Sequence, residues 1–442
     1  MEADVLELER SSVLFEDKCE RFAVREQVYT SQYYPYYNAR LKIMYPWIKE
    51  SAELKWGADV RIIKLIDLTP NSGEKVCIIG TLFKKTTLQP TILKELSEEH
   101  QLIPQPAMEK YISAEDVVFL QDERETVQLI GNFDVHSVTT GITIAILGYE
   151  EDDGNKFLVE DYCFASFNET VERPLSNEEK YVAIISDLGF STKSSINLLS
   201  ARNMFVDFVT GSGVGKQNIE KAAKVVKVII AGNCISKDVK SQEQEEQKKT
   251  VSWSKKTKSH TLEVLKVIDD FLVQIGKSID VDVMPGDNDA TSVMLPQQPL
   301  HPCLLPKASV LSSIRCVTNP YSASFDSTVF LGTSGQNVDS IRQYTNLDEP
   351  VDILERTLLW RHLVPSAPDT LASYPFSDKD PFVITECPHV YFAGNQKSFN
   401  TKLIELQNGQ VVRLVAVPQF ESSFNCVLIN LENLQCELVA FG

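Results

Sequence analysis

The chain has 442 residues, 43% of them hydrophobic and 24% charged, with 43 Lys and Arg against 61 Asp and Glu for a formal net charge of −18. That is ordinary globular composition and enough length for two or three domains. The acid excess argues against a broad basic face for gripping phosphate backbones. No stretch nears the roughly 18 consecutive apolar residues of a spanning helix, and MEADVLELER lacks the basic-then-apolar order of a signal peptide. A soluble intracellular protein without membrane contact is expected.

The nine cysteines are scattered with no CxxC pair, and most sit in apolar runs such as KVCIIG around Cys77 and NCVLIN around Cys426. They read as small hydrophobes, not as a disulfide framework or zinc ribbon.

Residues 1–56 read as a helical, aromatic-rich arm that packs on its neighbours, divided into short pieces by Pro35 and Pro46. Its Tyr29, Tyr33, Tyr34, Tyr36, Tyr37, Tyr45, Trp47 and Trp56 are interleaved with Arg40, Lys42 and Lys49. The pattern suits either base stacking or rings buried against a neighbouring domain.

From residue 57 to 168 the pattern turns to strands: VRIIKLIDL, KVCIIGTLFKK, DVVFLQ, TVQLIGNF, GITIAILGYE and KFLVEDYCFA. A tight hairpin followed by the GITIAILG run suits the small barrel called the OB-fold. Barrels that bind single strands expose aromatic and basic residues, whereas these strands are apolar and acidic, which favours a protein-binding or structural role.

After the polar SFNETVERPLSNEEKY, strands and helices alternate over residues 178–442. YVAIISDLGFST, VVKVIIAGN and SIDVDVMPGDND are strands ending in polar turns. SSINLLSARNMFVDFVTG and an amphipathic stretch with Leu262, Leu265, Ile268, Leu272 and Ile275 are helices. The lysine- and glutamate-rich 237–259 is a charged loop. STVFLGTSGQN, HVYFAGN, VVRLVAVPQF, NCVLINL and CELVAFG add strands. The expected architecture is an OB-fold barrel joined to a two-sheet α/β sandwich with its site at strand C-termini.

Four of those ends read Ser186-Asp187-Leu188-Gly189, Ala231-Gly232-Asn233, Gly286-Asp287-Asn288-Asp289 and Gly394-Asn395-Gln396-Lys397. Their order resembles that of the calcineurin-like metallophosphoesterases, where the matching ends read D-x-H, G-D, G-N-H-D and G-H-x-H and hold two metal ions that activate a water. The resemblance implies that Gly189, Asn233, Asn288, Asn395 and Lys397 stand where metal ligands would be. Asp187, Asp287 and Asp289 alone remain as hard donors. None of the six histidines (His100, His136, His260, His301, His362, His389) occupies a ligand position, and an ammonium such as that of Lys397 repels cations. A degenerate site without metal or cofactor is expected. The alternative, an active metal-dependent phosphodiesterase or nuclease, would rest on the three aspartates.

A barrel ahead of such a sheet resembles the B-subunits of replicative DNA polymerases. SQYYPYYNARL, FLVEDYCFAS, MPGDNDATSVMLPQQPLHPCLLPKA, VTNPYSASFDSTVFLGTSGQNVDSI, APDTLASYPF and ECPHVYFAGN are similar to the small-subunit family of DNA polymerase delta. The resemblance implies a nuclear, non-catalytic scaffold in DNA replication and repair synthesis. Its implied partners are the C-terminal iron–sulfur cysteine module of the catalytic subunit, the third subunit, and the catalytic subunit of polymerase zeta, with DNA contacted only indirectly. Tyr36, Tyr37, Trp47, Pro299, His301 and Pro302 are candidate interface anchors, each equally open to a core role.

Overall fold

The computed structural model describes residues 8–25, 30–68, 73–89, 108–151, 155–173, 178–213, 215–239 and 260–442. From residue 240 to 259 the charged loop lies outside the described residues. Two compact units are present: residues 1–26, 170–336 and 387–442 form one, and residues 27–169 and 337–386 the other.

The first described elements are the short strand β1 (Phe15–Asp17) and a 3-10 turn over Cys19–Phe22, so among the described residues of 1–56 the α-helical reading holds for α1 (Tyr34–Trp56). The expected division at two prolines is also corrected. Pro35 occupies the first turn, where its missing N–H leaves nothing unsatisfied. The helix continues through Pro46, where a proline forgoes one backbone hydrogen bond. Met44, Ile48 and Ala52 recur every fourth residue and bury against Cys77, Ile79, Ala145 and Leu147, so tertiary packing overrides the breaker.

The barrel strands are β2 (Ile62–Ile63), β3 (Val76–Lys85), β4 (Val117–Gln121), β5 (Thr126–Gly131), β6 (Thr143–Glu150) and β7 (Lys156–Cys163). They pair in the order β2-β3-β4-β5-β7-β6, and an additional β3–β6 ladder closes the ring. Closure removes the exposed edges that an open sheet of apolar runs would otherwise carry. VRIIKLIDL contributes only Ile62 and Ile63 as strand, because Leu65–Asp67 turns into a 3-10 helix.

The other unit holds β8 (Tyr181–Ile185), α2 (Ile196–Thr210), α3 (Lys216–Lys224), β9 (Val225–Ala231), α4 (His260–Gly276), β10 (Asp280–Met284), β11 (Ile314–Cys316), β12 (Tyr321–Phe325) and β13 (Thr328–Thr333). Helices α5 (Gln336–Tyr344) and α6 (Pro350–Leu359) follow, lying almost wholly in the barrel-containing unit. The chain then returns as β14 (Val390–Gln396), β15 (Asn400–Glu405), β16 (Val411–Pro418), the single turn α7 (Phe420–Ser423), β17 (Asn425–Asn430) and β18 (Cys436–Ala440).

These strands form two six-stranded sheets, ordered β11-β10-β9-β8-β17-β18 and β1-β12-β13-β14-β16-β15. Alternation along β8 shows the layering. Val182 and Ile184 pack with Phe330, Phe392 and Val415 of the second sheet, whereas Ala183 and Ile185 pack with Leu198, Phe205, Leu265 and Leu272 of α2 and α4. Sheet on sheet, with helices on one outer face, is the mixed α/β arrangement expected. No helix among the described residues is long and apolar enough to cross a membrane.

Candidate functional site

The C-terminal ends of β8, β9 and β14 deliver Asp187, Asn233 and Asn395, each in the left-handed region at φ 54°, 55° and 57°. Asp and Asn tolerate that conformation better than other side chains, so the strand-end residue type also serves the turn. The turns are tied together through the backbone: Asp187 N–H donates to Gly232 O at 3.0 Å, and Glu421 N–H donates to Asp187 O at 2.9 Å. Gly286 has no room for a side chain, because a Cβ would stand 2.3 Å from Asn233 Oδ1 and 2.4 Å from Asn233 N.

Asp289 is 3% exposed. Its Oδ1 accepts from Ile235 N–H at 3.0 Å and its Oδ2 from Gly286 N–H at 2.8 Å. Burial pushes its pKa up to about 6, against the pull of backbone donors that include Asn233 and Cys234. Asp187 is pushed up to about 7 by burial, then by the nearby charges of Glu421 and Asp289. Asn233 Oδ1 accepts from Asn288 N–H at 3.0 Å. Asn395 Nδ2 donates to Ser334 O at 2.6 Å and Ala231 O at 3.3 Å. Asp287 and Lys397 are exposed, and Asn288 is half-buried.

Two residues outside the sequence-level set complete the cluster. Glu421, on α7, accepts from Ser236 Oγ at 3.2 Å, and burial raises its pKa first of all. Arg202, on α2, donates to Leu188 O at 2.9 Å and Gly189 O at 2.8 Å while its guanidinium lies 4.0 Å from the Phe190 ring centre. Arg202 thus pins the turn that carries Gly189. No spacing in the sequence links Glu421 or Arg202 to the four strand ends.

Both Asp289 oxygens and the Asn233 oxygen accept backbone N–H groups, and the Asn395 amide nitrogen donates to two carbonyls while its Oδ1 is buried without a hydrogen-bond partner among the described residues. Among the described residues no three His, Cys, Asp or Glu side chains are placed to share a metal ion.

The candidate anchors divide by burial. Tyr36 is fully buried, its hydroxyl donating to Asp380 Oδ1 at 3.1 Å, so it has no surface to offer a partner. Tyr37 donates to Asp369 at 2.7 Å, and Trp47 lies under the Arg361 guanidinium at 3.8 Å, both half-buried. Pro299, His301 and Pro302 are exposed.

Comparison with known proteins agrees with this architecture. A family model described as the OB-fold domain of a DNA polymerase delta subunit matches residues 32–162, and one described as the B subunit of DNA polymerases alpha and epsilon matches residues 182–401. The DNA polymerase delta small subunit of Arabidopsis thaliana is 38% identical over 96% of this chain and 94% of its own length. DNA polymerase delta subunit 2 of Drosophila melanogaster is 35% identical over 98% of each. The small subunit of Saccharomyces cerevisiae is 28% identical over 94% of this chain and 90% of its own. With both domains matched and near-full-length similarity, the chain belongs to the DNA polymerase delta small-subunit family.

Proposed function

We propose that this chain is a non-catalytic scaffold of the polymerase delta complex, built on a barrel and a phosphoesterase-like sandwich whose strand-end site no longer performs chemistry. The observation that carries this reading is the hydrogen bonding of Asp289. A carboxylate whose two oxygens accept Ile235 and Gly286 N–H groups acts as a clasp for the sheet-end turns. With a glycine at position 189 and asparagines at 233, 288 and 395, the site has exchanged ligand chemistry for turn chemistry.

The scaffold bridges the C-terminal cysteine-rich iron–sulfur module of the catalytic subunit and the third subunit, and serves the polymerase zeta catalytic subunit in the same way. DNA is reached through those partners, in the nucleus, in keeping with the net charge of −18. The exposed Pro299, His301 and Pro302, with half-buried Trp47 and Tyr37, are the contact residues offered. Sedimentation of the purified chain with the catalytic subunit's cysteine-rich region tests the reading. Co-migration as a stable complex is expected, and independent migration overturns it.

A further inference from the structure

The barrel-containing unit holds a partly open cavity of about 270 Å³ whose lining includes Phe83 and Tyr344 beside Lys84 near the end of β3, Gln89, Thr140 and Asp369, with Thr370. Lys84 is 4% exposed. Its ammonium donates to Tyr344 O at 2.7 Å and, more weakly, to Val138 O at 3.4 Å. An ammonium has three donors, so one is left. Asp116 and Asp134 attract it at a distance, and it forms no ion pair among the described residues.

A buried cation whose carboxylates stand beyond contact distance is costly, by several kcal/mol in general. Burial lowers the pKa of Lys84 to about 8. The cavity's hydroxyls are largely engaged. Thr140 Oγ1 is bonded to the Lys84 backbone, and Thr370 Oγ1 to Ser340 Oγ at 2.7 Å. Gln89 Oε1 accepts from Thr86 Oγ1 at 3.2 Å, which leaves the Gln89 amide N–H groups as donors. Asp369, the one negative group on the wall, accepts from the Tyr37 hydroxyl at 2.7 Å.

We propose that this cavity binds a small phosphate-class oxyanion, free or as the terminal group of a nucleotide, held by the Lys84 ammonium and the Gln89 amide. Such an anion supplies the contact counter-charge that Lys84 lacks among the described residues and accepts the remaining N–H groups of both side chains.

Calorimetric titration of the full chain with pyrophosphate, and separately with a nucleoside triphosphate, tests this at ionic strength held constant with chloride. Saturable binding of either is expected, and which of the two binds identifies the source of the anion. Lys84→Met keeps the aliphatic stem, and it should weaken binding about tenfold or more, the loss of a charge-assisted hydrogen bond. Gln89→Leu should weaken it less. Absence of saturable binding for both anions, or unchanged affinity in both Lys84→Met and Gln89→Leu, overturns the assignment.

Discussion

Gly189 lies directly beneath Glu421. A Cβ at Gly189 would stand 2.6 Å from the Glu421 carboxyl carbon and 2.8 Å from its Cβ, and the backbone there is left-handed at φ +61°. A histidine at this position, as a metal-binding D-x-H end would require, collides with Glu421 and strains the turn. Gly189→His should therefore lower stability by about 2–4 kcal/mol, from steric overlap and backbone strain together. It should take up no Mn²⁺ in calorimetry. A variant as stable as the unmutated chain would show that Glu421 does not fill the ligand's place.

Asp187 couples the same cluster to pH. Its pKa rises from an ordinary 3.8 to about 7 in the fold, so the folded state holds the proton more tightly than the unfolded chain. The stabilisation is fully present below the unfolded pKa and is lost as pH rises through about 7, where the buried carboxylate ionises beside Asp289 and Glu421. Asp187→Asn keeps a residue suited to the left-handed turn and removes the ionisation. It should raise the melting temperature at pH 8 by several degrees, a gain of up to a few kcal/mol, and by less than half as much at pH 5, where the loss has only begun. An equal shift at both pH values would rule out this titration as the cause.

Asp289 is shifted in the same direction as Asp187, but its removal should destabilise the fold. Its removal leaves the buried N–H groups of Ile235 and Gly286 without acceptors. Asp289→Ala should cost about 2–4 kcal/mol in denaturant unfolding, from two unsatisfied donors. Unfolding midpoints within error of the unmutated chain would remove its structural role.

The strand ends were legible because an apolar run followed by a polar turn is a local signal, and β8, β9, β10 and β14 all carry it. Glu421 was not legible. It sits on a one-turn helix beyond the last motif and reaches the cluster because Gln419 bridges to Ser186 and the Phe420 and Glu421 N–H groups donate to the Ser186 and Asp187 carbonyls. Short strands with weak periodicity were missed for a related reason: β1 spans three residues and is held by its ladder with β12, and no apolar run of its own marks it. Tyr36 was ambiguous because a tyrosine suits a core and an interface equally. Only tertiary placement, beside Arg40 and Asp380, decides it.

That placement makes a further prediction. Arg40 and Asp380 are both fully buried, with Nε 2.7 Å from Oδ2, and Arg40 also donates to the carbonyls of Gly141, Pro365 and Ala367. Burial alone would raise the Asp380 pKa, yet His362 and Arg40 hold it well below the usual carboxylate range. Arg40→Met leaves Asp380 with His362 and Tyr36 as its side-chain partners among the described residues, and burial, then the Arg40 charge, push the His362 pKa down to about 4, so compensation would require that buried imidazole to take up a proton. A loss of about 3–5 kcal/mol is expected, the usual cost of breaking a buried pair, read as a lowered midpoint in denaturant. A loss below about 1 kcal/mol, the range of exposed pairs, would show that the interior tolerates the orphaned charge.

Bridging is tested most directly by mass photometry of three components: this chain, the cysteine-rich C-terminal region of the polymerase delta catalytic subunit, and the third subunit. A ternary particle that forms only when this chain is present, and survives Asp187→Asn, is the predicted result. Association of the other two components without it, or failure of either to bind it, would contradict the scaffold role.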